Sequence, residues 1–390
     1  MHKIESLINT LCPNGVEYKP IGEIFEIRNG YTPSKANPDF WENGTIPWFR
    51  MEDIRENGRI LEDSIQHITE KAIKGKGLFK ANSIILSTTA TIGEHALILK
   101  DSLANQQLSN FSIIEKFADR LLPKFVFYYF FKIKEWCLNN VNASSFPSVD
   151  MAQLRKVSFP IPPIEVQKEI IIILNAFKEL TAELTAELTA RKKQYEYYRH
   201  TLLDFDNKRN KVEFKTLGEI AEIGTGSSNG NEEEIDGKYP FFTRSKDIKR
   251  KNSYEFDETA IITAGDGEVG KVFHFVKGKY ALHQRAYRIC IFNKKVLPKF
   301  VFYFMQKDFY EYIMLNAVAS SVISVRMKML TDYPIPIPPL KVQEKIVKIL
   351  DKFESLTHDL QEGLPAEIQA RTKQYEYYRN QLLTFKKLES

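Results

Sequence analysis

The sequence repeats itself. Arg191-Lys-Lys-Gln-Tyr-Glu-Tyr-Tyr-Arg199 returns as Arg371-Thr-Lys-Gln-Tyr-Glu-Tyr-Tyr-Arg379, and Leu122-Pro-Lys-Phe-Val-Phe-Tyr128 recurs unchanged from Leu297 to Tyr303. Gly22-Glu-Ile24 and Gly218-Glu-Ile220 form a third pair. The offsets of 180, 175 and 196 divide the 390 residues into two copies of one module. A catalytic pocket is normally needed once, whereas two similar modules a fixed distance apart suit a two-part target.

Each copy reads as a mixed region of short strands and loops, then a Pro-rich hinge, then a long helix. The hinges are Phe159-Pro-Ile-Pro-Pro163 and Ile335-Pro-Ile-Pro-Pro339, where proline blocks regular structure on its N-terminal side and suits a helix start after it. Glu165 to Phe205 holds no Pro or Gly, and Val166, Ile170, Phe177, Leu180, Leu184, Leu188, Tyr195, Tyr198, Leu202 and Phe205 keep helical spacing. The second helix, from about Leu340 to Phe385, is expected to kink or break at Gly363-Leu-Pro365.

A long helix with one apolar stripe needs a partner, and its counterpart at the other end of the chain supplies one. The expectation is an α+β chain. Two mixed α/β domains, 1–160 and 207–336, stand in a pseudo-two-fold arrangement, separated by two long antiparallel helices, 161–206 and 337–390, in a coiled coil. Leu180, Leu184, Leu188, Tyr195, Tyr198, Tyr375 and Tyr378 are candidates for the seam or for a face that meets a partner, since Tyr is enriched at interfaces. Thr181-Ala-Glu-Leu184 is followed at once by Thr185-Ala-Glu-Leu188, and a period of four drifts from 3.6, so the stripe is expected to shift here. The plain reading is a coiled-coil stutter. The sharper one is a ruler, because one unit adds roughly 6 Å of helix while turning it only about 40°.

Charge and cysteine use exclude little and permit nucleic acid. Fifty-five basic against 50 acidic residues leave +5, and three scattered cysteines without CxxC spacing indicate neither a disulfide framework nor a zinc site. No apolar stretch reaches the length of a membrane span and no signal-peptide pattern opens the chain, so a cytosolic protein is expected.

Several motifs invite enzymatic readings that their context refuses. Gly265-Asp-Gly-Glu-Val-Gly270 satisfies GxGxxG, and with Lys271 it matches a P-loop except that Val272 stands where Ser or Thr belongs. Both motifs need a helix next, yet Lys271 to Phe275 alternates like a strand, and the first copy reads Thr88, Ala90 and Gly93 at the glycine positions. A tight turn between strands is expected. Asp204 or Asp206 with Glu213-Phe-Lys215 resembles a nuclease set, but Glu17-Tyr-Lys19 in the first copy has no Asp before it. Asn37-Pro-Asp-Phe40 lacks the second proline of an amino-methyltransferase motif and reads as a surface turn. The aromatic runs from Phe125 and Phe300 are continuous, which favours a buried helix over a base-stacking platform.

Polar residues of the mixed regions carry the remaining chemistry. Arg244, Lys246, Lys249, Arg250 and Lys251, with Arg50 and Arg55 in the first copy, suit phosphate contacts; a solvated basic face is the alternative. Asn105-Gln106-Gln107 corresponds to His283-Gln284-Arg285, each just after a strand-like stretch. Gln and Asn pair with adenine and Arg with guanine, which makes these the candidates for base readout, against ordinary loop hydrogen bonding. Thr89, Thr91 and Thr263 are weaker candidates in neighbouring loops.

With both copies, the proline hinges, the tyrosine boxes and the tandem Thr-Ala-Glu-Leu located, the chain resembles the specificity subunit of type I restriction-modification systems along essentially its whole length. The resemblance implies two target-recognition domains that each read half of a split duplex-DNA sequence, with the helices setting the unread gap. It also implies two modification subunits that use S-adenosylmethionine to methylate adenine, and restriction subunits that use ATP and Mg. The chain itself is then expected to carry no catalytic residues, metal or cofactor. Two other readings are a coiled-coil adaptor with non-specific DNA binding and a single-chain methyltransferase. The first mixed region is about twenty residues longer than the second between Gly22 and Leu122, so the half-sites are expected to differ.

Overall fold

A computed structural model of the chain describes residues 2–142, 147–205, 212–316, 324–358 and 363–388. They divide into two compact units: Met1–Glu183 with Gln369–Ser390, and Leu184–Ile368. The division falls inside the long helix Ile164–Leu202, which runs from the first unit into the second.

The first unit centres on a five-stranded sheet in the order Phe25–Asn29, Leu108–Ile113, Ser83–Ser87, His95–Ile98, Ile60–Leu61. Ser83–Ser87 is buried on both faces, so its alternate residues serve two cores. Ile84 and Leu86 join Phe111 on one face, while Ile85 joins Leu108 on the other. Helix Pro123–Asn139 covers the first face, with Pro123 at its opening position. Phe125 to Phe130 are all buried because this helix shares its core with the sheet and also with Val166, Ile170 and Leu174 of the long helix. The aromatic run is core, as its continuity indicated.

The second unit repeats the plan in a six-stranded sheet ordered Ala221–Thr225, Ala286–Ile291, Phe256–Ala264, Phe273–Leu282, Tyr239–Phe242, Lys249–Lys251. Ile261 and Ile289 face helix Pro298–Asn316, and Ile262 and Ala286 face the other way. One buried amide locks each copy. Gln167 Nε2 donates to the carbonyls of Arg120 and Pro162, and its Oε1 accepts from Leu122 N. Gln343 makes the same three bonds, to Lys295, Pro338 and Leu297 N. The first half of each hinge is more regular than proline alone implies. Ser158–Ile161 pairs antiparallel with Glu17–Pro20, and Pro334–Ile337 with Glu213–Thr216, each as an edge ribbon that tolerates missing N–H groups. Glu17, Lys19, Glu213 and Lys215 are thus ribbon residues, and Asp206 lies outside the described residues.

The closing of each unit shows how the duplication is threaded. Phe205, just past the long helix, packs on Phe300 with ring centroids 5.9 Å apart, while in the first unit Phe385 from the end of the chain packs on Phe125 at 6.4 Å. Lys307 Nζ donates to Leu203 O, and Lys132 Nζ to Thr384 Oγ1. The tail of the chain therefore does for the first unit what the segment after the long helix does for the second.

Along the long helix from Leu174 one stripe of shielded positions, Leu174, Phe177, Thr181, Leu184, Leu188, Arg191, Tyr195, Tyr198 and Leu202, runs in alternating steps of three and four, with Asn175, Lys178, Leu180, Gln194 and Arg199 also partly covered beside it. Through the Thr-Ala-Glu-Leu pair Leu180, Leu184 and Leu188 are partly covered in steps of four, and Thr181 and Arg191 join them in the three-and-four register. The second helical segment is two helices, Leu340–His358 and Leu364–Leu382, with Pro365 in the opening turn of the latter. Phe177 stacks on Tyr378 at 5.4 Å in the first unit, and Tyr198 lies 5.3 Å from Phe353 in the second.

Candidate nucleic-acid interface

Four turns frame the same surface in each unit, and backbone bonds fix their correspondence. Asn105 N donates to Phe49 O at 3.0 Å as His283 N does to Phe242 O at 2.9 Å. Thr88 N donates to Gln107 O as Gly265 N does to Arg285 O, and Val149 N and Val325 N donate in turn to Thr88 O and Gly265 O. Gly30 and Gly226, each just past the first sheet strand, come so close to the next turn that a Cβ would stand 2.2 Å from Asn105 O and 1.9 Å from Leu282 O. No side chain fits there. The glycine motif from Gly265 is a turn leading into strand Phe273–Leu282, with Gly267 at φ +76° where the first copy holds Ala90 at +57°.

Gln106-Gln107 and Gln284-Arg285 are two-residue turns. Leu108 N returns to Asn105 O and Ala286 N to His283 O, and Asn105 Oδ1 and His283 Nδ1 accept from the backbone N–H of Gln107 and Arg285. Thr32 Oγ1 donates to Gln106 Oε1 at 2.5 Å, and Gln284 Nε2 to Asn229 Oδ1 at 2.6 Å. Burial and the neighbouring Arg244 and Arg285 charges hold His283 below the ordinary imidazole range. With Nδ1 accepting, its Nε2 carries the proton.

The candidate cations differ in what holds them. Arg244 and Lys249 line a cleft of about 490 Å³ with Thr243, Asp266, Glu268 and His283. Arg244 and Arg285 both pair with Asp266, Lys249 with Glu233, and Lys251 with Glu232. Arg250 is spent on its own hairpin, donating to Gly237 O and Lys238 O, while Lys246 is exposed between the hairpin strands. In the first unit Arg50 pairs with Glu52 and lies 5.8 Å from the Trp48 ring, and Arg55 is exposed in the last turn of helix Met51–Glu56. Thr89 and Thr91 flank Ala90 in its turn, with Ser87 Oγ donating to Thr89 O and lying 3.4 Å from Thr91 Oγ1. Thr263 is a correction. It is buried within strand Phe256–Ala264, its hydroxyl donating to Val272 O, and no ligand at the surface reaches it.

On the long helix Tyr195 is buried, Leu180, Leu184, Leu188 and Tyr198 are partly covered, and Tyr375 and Tyr378 pack against the first unit's core. The outward members of the tyrosine boxes are Tyr197 and Tyr377, 65% and 60% exposed. Sequence reasoning missed Asp266, quoted only inside the glycine motif, and Gln167 and Gln343, whose signal was a Val-Gln step repeated after each hinge. Among the described residues no helix is long and apolar enough to cross a membrane.

The family model of the type I restriction modification DNA specificity domain matches twice, over residues 13–191 and 209–370. The chain is 39% identical to the type I restriction enzyme EcoprrI specificity subunit of Escherichia coli, over 89% of this chain and 90% of that one. It is 30% identical to a putative type I restriction enzyme specificity subunit of Haemophilus influenzae, over 95% and 96%. Among solved structures, a chain of a type I restriction-modification system superposes with a TM-score of 0.66 at 16% identity, covering 95% of this chain and 98% of that one. The S subunit from M. genitalium superposes at 0.53, with 16% identity and coverage of 94% and 95%. Matched in both halves, this chain belongs to the type I restriction-modification DNA specificity family.

Proposed function

We propose that the chain is the non-catalytic reader of a bipartite duplex-DNA site, with residues 1–160 and 207–336 as target-recognition domains, each meeting one half, and 161–206 and 337–390 as the spacer that sets the gap. The observation that carries this reading is the repetition of one four-turn frame with different side chains at its tips: Gln106-Gln107 in one copy, Gln284-Arg285 in the other. A shared frame with exchanged tips is how one fold meets two sequences. Two modification subunits are the proposed partners, bringing S-adenosylmethionine, together with restriction subunits that use ATP and Mg.

Mapping methylated adenine in a host that carries this chain with its modification subunits tests the proposal. The expected motif has two short specified segments separated by a gap; a single continuous motif sinks it. Inserting a third Thr-Ala-Glu-Leu unit after Leu188 is expected to widen the gap by about one to two base pairs, at roughly 3.4 Å per step, and to leave both halves unchanged.

A further inference from the structure

We propose that Asp266 holds Arg244 and Arg285 as a paired donor set that reads guanine in the half-site met by the second unit. The inference rests on the DNA-reading role above and extends it to the base selected. Asp266 Oδ1 lies 2.6 Å from Arg244 Nη1, and Oδ2 lies 3.3 Å from Arg285 Nη1. The carboxylate is 21% exposed and the arginine side chains 44% and 61%, so the acid stands behind and the guanidinium groups in front. Each guanidinium gives Asp266 one of its five N–H donors and keeps the rest.

The backbone beneath this trio is fixed from several sides. Gly265 N donates to Arg285 O, Val325 N donates to Gly265 O, and Asp266 bridges to Ser324. His283 Nδ1 holds the Arg285 N–H, leaving Nε2–H as a further donor beside the cleft. The major-groove edge of guanine offers two acceptors, O6 and N7, which a donor fork matches. Adenine offers a donor and an acceptor, which an amide matches. The first unit has Thr89 at the position of Asp266 and Gln107 at that of Arg285, so its tip carries amides and no carboxylate-held arginine pair.

The test uses the full chain assembled with its modification subunits and selection from a random duplex pool. The wild-type motif is expected to hold guanine in one half. Arg285→Gln is expected to lower guanine preference at one position by about 5- to 150-fold, move it toward adenine, and leave the other half unchanged. Asp266→Asn is expected to keep the preferred base with weaker discrimination, and Asp266→Glu to restore part of it. Replacing that guanine by 7-deazaguanine is expected to weaken the wild-type complex, which removes any dependence on a variant that folds badly. A bipartite motif unmoved by Arg285→Gln or by 7-deazaguanine overturns the inference and spares the DNA-reading role. So does Asp266→Asn switching the preferred base, since the carboxylate is then itself the reader. Absence of any bipartite motif overturns both.

Discussion

Behind the same four turns the two units build different supports. In the first, the 39 steps from Phe49 to Thr88 hold helix Met51–Glu56 and strands Ile60–Leu61 and His67–Ile68, and they close a core around Trp48, Phe49, Ile54, Leu61, Ile68 and Phe79. In the second, Phe242 to Gly265 takes 23 steps, the matching core is Phe242, Ala260, Ile262, Val276, Tyr280, Leu282 and Ala286, and a hairpin replaces the insertion. That hairpin is held by polar contacts: Lys249 to Glu233, and Lys251 to Glu232 and to Ser228 Oγ. One frame is thus positioned largely by apolar burial in one copy and by ion pairs and hydrogen bonds in the other. Most of the first copy's extra length lies in this stretch, beneath the turns rather than in them.

Phe79→Ala breaks this contrast most sharply. Phe79 is buried in the core that the insertion helps to close, and its loss is expected to cost about 3–5 kcal/mol in denaturant unfolding of the first unit, with the second unchanged. What the copies share is tested next. Gln167→Leu and Gln343→Leu each orphan one buried N–H and two carbonyls, at about 1–3 kcal/mol per group, so losses of at least about 3 kcal/mol are expected, similar in the two units. Unequal losses in the same assay dissolve the equivalence.

Acid sharpens the comparison further. His95 stands seven residues after Thr88, as Val272 stands seven after Gly265, and complete burial pushes its pKa down to about 3. Between about pH 6.5 and 3 the unfolded chain takes up a proton that the folded one refuses, so stability falls as pH falls through that window, by about 1.4 kcal/mol per unit at most. His95→Val is expected to flatten that slope, read from unfolding midpoints at pH 7 and pH 5. The smallest effects belong to the glycine turn. Ala90→Gly relieves a left-handed residue and is expected to gain no more than about 1 kcal/mol, whereas Gly267→Ala, with open space around its Cβ, is expected to lose about 1–2 kcal/mol to backbone strain alone.

Much of the frame was legible because it depends on local pattern. The Leu-Pro-Lys-Phe-Val-Phe-Tyr run names a proline-started helix with a buried aromatic first half twice, and the absence of a helix signal after Gly270 made the glycine motif a turn. The base-readout candidates fell on equivalent turns because duplicated sequence folds to duplicated backbone. Thr263 failed for a reason that strand periodicity alone does not give: a strand buried on both faces turns even its threonines inward. The charge count does not rank its members: five cations in eight residues look alike on paper, yet Lys249 and Lys251 are paired and Arg250 is tied to its own hairpin.

By itself the sequence determined that there are two copies and that each closes in helical segments after a proline hinge, because repetition, proline placement and apolar spacing act over a few residues at a time. Tertiary structure decided the rest. Which turn tips stand together, which arginines share Asp266, and that the last residues of the chain complete the first unit depend on contacts between residues far apart in sequence, brought together only by the sheet and the buried glutamines.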